Sequence, residues 1–460
     1  MASKTITNPK PIMKKILLLS LFLANGLALS QTNPAITSWL RNTTGITGRH
    51  YVSGNPTPIN DAVLANVQTV QYSTNWVYVT TNGIPAYITG PFLDGNPSLA
   101  TSRNGAIFRF PLNPTPNTGT PTNTNGGNIG LFKNGVALFD YRDGVSWRNA
   151  TSQICGGPIQ GCMGDGVWNR DAVYAERTGF DCAKAHPAMG NYHHHQNPSA
   201  FNLDLVVLSN ICSTYPSDGL YVINPTEHSP LIGFAYDGYP IYGAYGYANA
   251  DGTGGITRIK SSYQLRNITV RTHYSDGTNV TDGPAVSTTY PLGYFREDYE
   301  YVAHAEADYL DVHNGRFCVT PEYPLGSYCY FTTVDANHNS AYPYAVGPTF
   351  YGNRTASLVT SVTESTTQYT LANADFNLSD LNIKIYPNPA QEFIAIQTDM
   401  AERNLKVTLI DELGKTIQTG EILQGSTLSV LDLSTVYNGI YFVKIADGKD
   451  DKTFKIVVHK

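Results

Sequence analysis

Along most of the chain, short runs of alternating apolar and polar residues are closed by Gly, Pro or Asn. Val67-Gln68-Thr69-Val70-Gln71-Tyr72, Trp76-Val77-Tyr78-Val79-Thr80 and Ala106-Ile107-Phe108-Arg109-Phe110 repeat with a period of two and are rich in β-branched and aromatic side chains. That pattern predicts strands with one buried face. Helical periodicity is scarce, and residues 171–177 form the best short candidate. Residues 113–128 mix Pro, Thr, Asn and Gly without any period, which predicts an exposed loop. Thr and Ser dominate 360–370, and a linker is assigned to 353–380. Alternation then resumes in Ile383-Lys384-Ile385-Tyr386, Phe393-Ile394-Ala395-Ile396, Leu405-Lys406-Val407-Thr408-Leu409-Ile410, Ile440-Tyr441-Phe442-Val443-Lys444-Ile445 and Phe454-Lys455-Ile456-Val457-Val458. Short strands at even spacing predict a sandwich. The expected fold class is mainly β: a β-rich, disulfide-bearing body with long loops over 31–352, then a small C-terminal Ig-like β-sandwich over 381–460.

The first thirty positions break the pattern. Met13-Lys14-Lys15 precedes the apolar run Ile16-Leu17-Leu18-Leu19-Ser20-Leu21-Phe22-Leu23-Ala24, and Ala28-Leu29-Ser30 follows. A basic start, a short apolar stretch and small residues predict a signal peptide over 1–30, with its true start at Met13 and cleavage before Gln31. The run is short for a bilayer span, and no later segment is long and apolar enough to be one. No Cys follows the cleavage point, which argues against a lipid anchor.

Composition narrows the partners. Charged residues make up only 14% of the 460, with a net charge of -6, too little basic density for a nucleic-acid binder. The six cysteines, Cys155, Cys162, Cys182, Cys212, Cys318 and Cys329, all fall in the body. An even number in an exported chain favours disulfides, although spacing does not choose among the pairings. Cys318 and Cys329 flank a Pro- and Gly-containing turn at 321–326, which favours that pair and an oxidised set. Zinc held by thiolates is the competing reading, weakened by the absence of Cys-x-x-Cys.

Two family resemblances follow from ordered motifs. Tyr386-Pro387-Asn388-Pro389, Asp411-Glu412-Leu413-Gly414-Lys415, Leu431-Asp432-Leu433-Ser434, Gly439-Ile440-Tyr441-Phe442-Val443 and the basic end at 452–460 make the last segment resemble the type A sorting domain of the type IX secretion pathway of certain Gram-negative bacteria. The resemblance implies passage through the periplasm, handling by the type IX secretion machinery, and a secreted or cell-surface destination. A plain Ig-like stability or binding domain is the alternative.

Over roughly 65–352 the chain resembles a family named for a Tyr-His-Tyr-His (YHYH) motif. The motif here is Cys182-Ala183-Lys184-Ala185-His186-Pro187-Ala188-Met189-Gly190-Asn191-Tyr192-His193-His194-His195. Supporting blocks are the run from His228 to Gly243, Leu310-Asp311-Val312-His313-Asn314-Gly315-Arg316-Phe317, and Ala341-Tyr342-Pro343-Tyr344. His194 stands where the family has its second Tyr. The resemblance implies no particular chemistry.

The chemistry must be read from the residues. In a strand, His193 and His195 share one face and His194 takes the other. With His186 a short turn upstream, three imidazole nitrogens converge, a set suited to zinc or copper with one position left open. Asp311 and His313 repeat the i, i+2 spacing and are expected as a fourth ligand or as orienting partners. A buried hydrogen-bond network and an adventitious His run are the plainer readings. His304-Ala305-Glu306 lacks the second His of a His-Glu-x-x-His helix, and no Gly-x-Ser-x-Gly elbow is present. Asp237-Gly238 predicts a hairpin, with Tyr236, Tyr239 and Tyr242 either lining a sugar or peptide surface or packing in the core. Asp251-Gly252-Thr253-Gly254-Gly255 and Asp276-Gly277 read as turns and indicate calcium only weakly. The leading expectation is a secreted or cell-surface protein with a His-centred metal site, a metal-dependent hydrolase or oxidoreductase of unknown substrate. The alternative is a non-catalytic module for glycans or proteins with structural histidines.

Overall fold

The alternating runs become strands because each places its branched and aromatic residues on a single buried face. In the computed structural model, which describes residues 33–92, 105–157, 159, 161–188, 190–201, 211–370, 378, 381–399, 401, 403–448 and 450–460, Val67–Tyr72, Trp76–Thr81 and Ala106–Pro111 are neighbours in one antiparallel sheet. The expected signal peptide lies outside the described residues. Val70 faces Val79, and Val79 faces Phe108, so the apolar residues stack across three strands. Val67, Val70, Val77, Val79, Phe108 and Phe110 are almost wholly buried. Burial of each such side chain contributes about 1.5–3 kcal/mol, enough for this row to dominate the sheet's stability.

The outer strands of this sheet come from the segment read as linker. Ser357–Val359 pairs with Ala106–Pro111, and Thr367–Gln368 pairs with Val67–Tyr72. Edge strands need no apolar alternation, because one side is paired and the rest meets water. Composition alone therefore reads them as linker. Within the loop expected at 113–128, Thr122–Asn123 likewise forms a two-residue strand against Thr349–Phe350.

A second, eight-stranded sheet runs in the order Ala185–Ala188, Asn191–His194, Ala137–Phe139, Asn128–Phe132, Leu231–Ala235, Pro240–Tyr242, Ser327–Phe331, Gly315–Cys318. It is mixed, with parallel pairings at His193–Ala137 and Ile241–Tyr330. Trp39 joins the sheets, its ring 5.8 Å from Phe110 of the first and 5.4 Å from Phe234 of the second. One continuous core fills the space between them. Asp237-Gly238 makes the hairpin turn, and Gly238 has φ +90°, with Pro111 so near that a Cβ would stand 2.5 Å from its ring. Tyr236, Tyr239 and Tyr242 are all buried and belong to the core rather than to a ligand surface.

Beyond residue 381, a three-stranded sheet (Ile383–Tyr386, Phe393–Thr398, Leu428–Asp432) and a four-stranded sheet (Thr416–Ile422, Leu405–Asp411, Gly439–Ala446, Asp451–Val458) form a small β-sandwich around their own core. Thr416–Ile422 was not legible as a strand because it is an outer strand that buries only Ile422.

The cysteines form two disulfides, Cys155–Cys162 and Cys182–Cys212. The pair expected from the turn is instead two buried thiols, Cys318 and Cys329. Register explains the difference. Cys318 sits opposite Ser327 and Cys329 opposite Arg316, so the cysteines are diagonal neighbours. Diagonal neighbours do not stand directly opposed, yet the two thiols still reach each other in a hydrogen bond. Burial pushes the Cys329 thiol well above its ordinary value, keeping it neutral. Alkylation of the denatured, unreduced protein is expected to label Cys318 and Cys329 and to spare the other four; peptide mapping that finds neither labelled would restore the third disulfide.

Candidate metal centre

The motif strand Asn191–His194 folds back on Ala185–Ala188, with His186 directly across from His193 and Ala185 across from His194. Gly190, at φ +75°, makes the reversal. Strand alternation then divides the motif between two environments.

Tyr192 and His194 face a closed hydrogen-bond network. Tyr192 Oη donates to Asp181 Oδ2 at 2.8 Å, and Tyr87 Oη lies 2.8 Å from His194 Nε2. His194 Nδ1 lies 3.2 Å from the Lys184 carbonyl, which can only accept, so Nδ1 carries the proton and Nε2 accepts from Tyr87. Burial pushes His194 down to about 3, and the ring stays neutral. This position, where the chain departs from the Tyr-His-Tyr-His pattern, serves the core.

His193 and His195 face the other way and meet His186. Donor atoms of the three lie within 4.8 Å of one another, the one such grouping of His, Cys, Asp or Glu among the described residues. His193 Nδ1 lies 2.8 Å from the Asn191 carbonyl and His195 Nδ1 lies 2.7 Å from the Asp140 carbonyl. Both Nδ1 atoms must therefore donate, so whenever a ring is neutral its lone pair sits on Nε2. Those two Nε2 atoms face each other at 3.1 Å. Protonating one would relieve the clash of lone pairs. Burial, then the neighbouring His195 and His186, hold His193 well below its ordinary value and oppose that solution.

A fourth donor comes from the helix Ala172–Glu176, started by Asp171, whose carboxylate accepts from Val173 and Tyr174 N–H. At the helix's other end, Glu176 Oε2 stands 3.2 Å from His186 Nε2 and 3.3 Å from His195 Nε2. This oxygen is buried yet has no partner in hydrogen-bond geometry. Burial pushes the Glu176 carboxyl up, but hydrogen bonds from His186 and His195, formed when those rings donate, and their charge outweigh it and hold the group well below the usual carboxylate range. Ligands at about 2.0 Å from a tetrahedral ion stand about 3.3 Å from one another, close to these three separations. Phe139 stacks on His193 at 3.9 Å, and Phe180 meets His186 edge-on at 5.0 Å. The histidines are nearly inaccessible, while the Glu176 side chain keeps 21% of its exposure and marks the solvent side.

Asp311 and His313, expected as completing residues, are placed elsewhere. Asp311 accepts from Tyr328 Oη at 2.9 Å, and His313 Nδ1 lies 2.6 Å from Thr349 Oγ1. Both precede the strand Gly315–Cys318 in a turn, where strand alternation does not apply. Sequence reading missed Glu176, because nothing in the helix pattern connects it to a strand ten residues further on. Asp251 and Asp276 accept from Thr253 and Thr278 within their own turns.

A mainly β, disulfide-bonded body with a buried histidine cluster defines the class. Residues 107–342 match the model of the YHYH protein family, and the chain belongs to that family. Residues 384–459 match the secretion system C-terminal sorting domain, so this is a type IX secretion-associated protein, secreted or at the cell surface. Among the described residues no helix is long and apolar enough to cross a membrane. No curated protein matches the chain. Among solved structures, PorZ, an essential bacterial surface component of the type IX secretion system of Porphyromonas gingivalis, is similar at 11% identity over 89% of this chain and 53% of that one. This chain thus spans about half that protein's length, and the TM-score of 0.16 carries no argument.

His194 generates a pH prediction. The unfolded chain binds a proton at this ring below about 6.5, and the folded protein resists doing so until about 3. Stability contributed by the neutral ring is therefore present above 6.5 and lost as pH falls through that window, by about 1.4 kcal/mol per pH unit. Thermal melts of wild type and His194→Gln are expected to converge as pH falls below 6.5; a constant gap would mean that the folded ring titrates normally.

Proposed function

We propose that this protein is an exported metalloprotein whose centre is an ion held by His186, His193, His195 and Glu176. The supporting observation is the pair of Nε2 atoms facing each other at 3.1 Å, with a carboxylate oxygen 3.3 Å from one of them. With both rings neutral these are three converging acceptors, and a cation among them would satisfy all three. Zinc and copper both take neutral imidazole nitrogen, and the Asn191 and Asp140 carbonyls fix the required tautomers. Phe139 and Phe180 keep water away, which strengthens ion–ligand attraction.

Glu176 is the donor that water or a substrate can reach, and it sits at the end of a five-residue helix. Its displacement would open the position at which a metal-dependent hydrolase or oxidoreductase works. The reading of a tyrosine-lined glycan surface loses its support, because its three rings are buried. The sorting domain makes the type IX machinery the export partner, with transit through the periplasm.

Incubation with zinc or copper followed by desalting is expected to leave one ion per chain in wild type. His193→Ala and His195→Ala should lose it, and Glu176→Gln should bind more weakly. Ligand present at a hundred times its Kd stabilises by about 2.7 kcal/mol, so the metal should raise Tm in wild type only. His194→Ala should keep the stoichiometry while losing about 1–3 kcal/mol, because Tyr87 loses its buried acceptor. Wild type that stays metal-free by mass spectrometry would end the proposal. Separately, removing 381–460 spares both outer strands of the first sheet, and the body should fold but stay in the native host; normal release would refute the export role.

A further inference from the structure

The C-terminal sandwich turns one open edge of each of its two sheets toward the body. Leu428–Asp432 pairs only with Phe393–Thr398, and Thr416–Ile422 only with Leu405–Asp411. Thr398 N–H donates to the Thr427 carbonyl, and Leu433 N–H to the Glu392 carbonyl. Bonded positions alternate along an antiparallel pair, so the backbone N–H and C=O groups of Leu428, Val430 and Asp432 point away from their sheet. On the neighbouring edge, the Glu421 carbonyl accepts from Ser429 Oγ at 3.0 Å and faces outward as well. Such edges are templates for pairing with another chain.

These edges line a cleft of about 1220 Å³ whose opposite wall belongs to the body. Val222 packs with Ala395 and Leu428, and Gln424 Nε2 donates to Thr43 Oγ1 at 2.7 Å, which fixes the two walls. On the body side, Asn66 is 1% exposed and Ser217 5%. Ala86 N–H donates to Asn66 Oδ1 at 3.1 Å and so orients the amide. Asn66 Nδ2 and Ser217 Oγ are buried without a hydrogen-bond partner, an arrangement that a ligand acceptor would relieve. Gly425 stands before the amide, where a Cβ would crowd Nδ2 at 3.2 Å. Asp218, Glu392, Glu421 and Asp432 outnumber Arg49 and Lys406 in the lining. Burial pushes the Asp218 carboxyl up to about 6, and Arg49 offsets this only in part. A further cation beside it is favoured.

We propose that this cleft binds an extended, basic peptide segment of a partner protein, which adds as a strand to Leu428–Asp432. Val430 N–H and C=O supply the central backbone bonds. From the body, Asn66 Nδ2 and Ser217 Oγ donate to carbonyls on the peptide's other edge. Strand addition takes its affinity from main-chain bonds and its selectivity from side chains. Here the excess of carboxylates selects lysine and arginine and repels an acidic segment. A glycan has no regular row of donors and acceptors to match a strand edge. The metal centre plays no part in this site.

The test uses the full mature protein and a fluorescent peptide alternating lysine and valine, with binding followed by anisotropy. Wild type is expected to bind saturably, and more weakly as salt rises. The matching glutamate–valine peptide should bind weaker by about tenfold or more. Val430→Pro removes one outward N–H and leaves the inner pairing intact, and it should weaken binding by about tenfold. Ser217→Ala, whose hydroxyl supports nothing in the fold, should weaken it by about threefold. Melting curves taken first establish that each variant is folded. Folded wild type that does not bind the lysine–valine peptide, or binds both peptides equally, overturns the proposal. Undiminished binding by folded Val430→Pro and Ser217→Ala overturns it too. Displacement of the peptide by maltohexaose would make the cleft a glycan site and overturn it likewise.

Discussion

Two imidazoles on the same face of one strand, each pinned by a backbone carbonyl through Nδ1, have nowhere to turn their remaining nitrogens except toward each other. His193 and His195 are in that position, with their Nε2 atoms 3.1 Å apart. Glu176 adds negative charge at 3.3 Å from His195, and His186 closes the group from the opposing strand. In water such an arrangement would relax by protonation or rotation. Burial opposes protonation of His193, and the flanking Phe139 and the hairpin register hold the rings in place, so the remainder of the body keeps the three histidines converged.

The clamp depends on the sandwich behind it. The strand that carries the motif is second from the edge of the eight-stranded sheet, held by Ala185–Ala188 on one side and by a parallel pairing with Ala137–Phe139 on the other. Its inward face, Tyr192 and His194, locks into Asp181 and Tyr87. A one-residue slip would exchange the two faces, placing His194 at the centre and the ligating rings in the core. Register is therefore what separates the converging histidine cluster from the buried polar network, and this fold places the two back to back. The disulfide Cys182–Cys212 ties down the chain just before the hairpin.

The C-terminal sandwich has its own core, and both of its sheets are built from residues after 381. Its apolar alternation is regular, and its strands pair with one another. The body instead draws its first sheet from strands nearly three hundred residues apart, from Val67–Tyr72 to Thr367–Gln368.

The sequence by itself determined the strand content, the hairpin at Asp237-Gly238, the helix before the motif and the shared face of His193 and His195. All four follow from local rules: the period of two, turn chemistry and helical periodicity over 171–177. Only the tertiary structure decided which carboxylate meets the histidines, which cysteines pair and where the outer strands come from. Glu176 reaches the site because a five-residue helix packs beside the hairpin, while Asp311 and His313 fall in a turn that points to Tyr328 and Thr349. Cys318 and Cys329 meet as free thiols from diagonal positions, a register that their spacing does not encode. Ser357–Val359 and Thr367–Gln368 become strands because a sheet edge offers them hydrogen bonds, not because their side chains ask for burial. The physical reason is the same in each case: contacts between distant segments depend on relative placement, and local side-chain pattern carries no information about it.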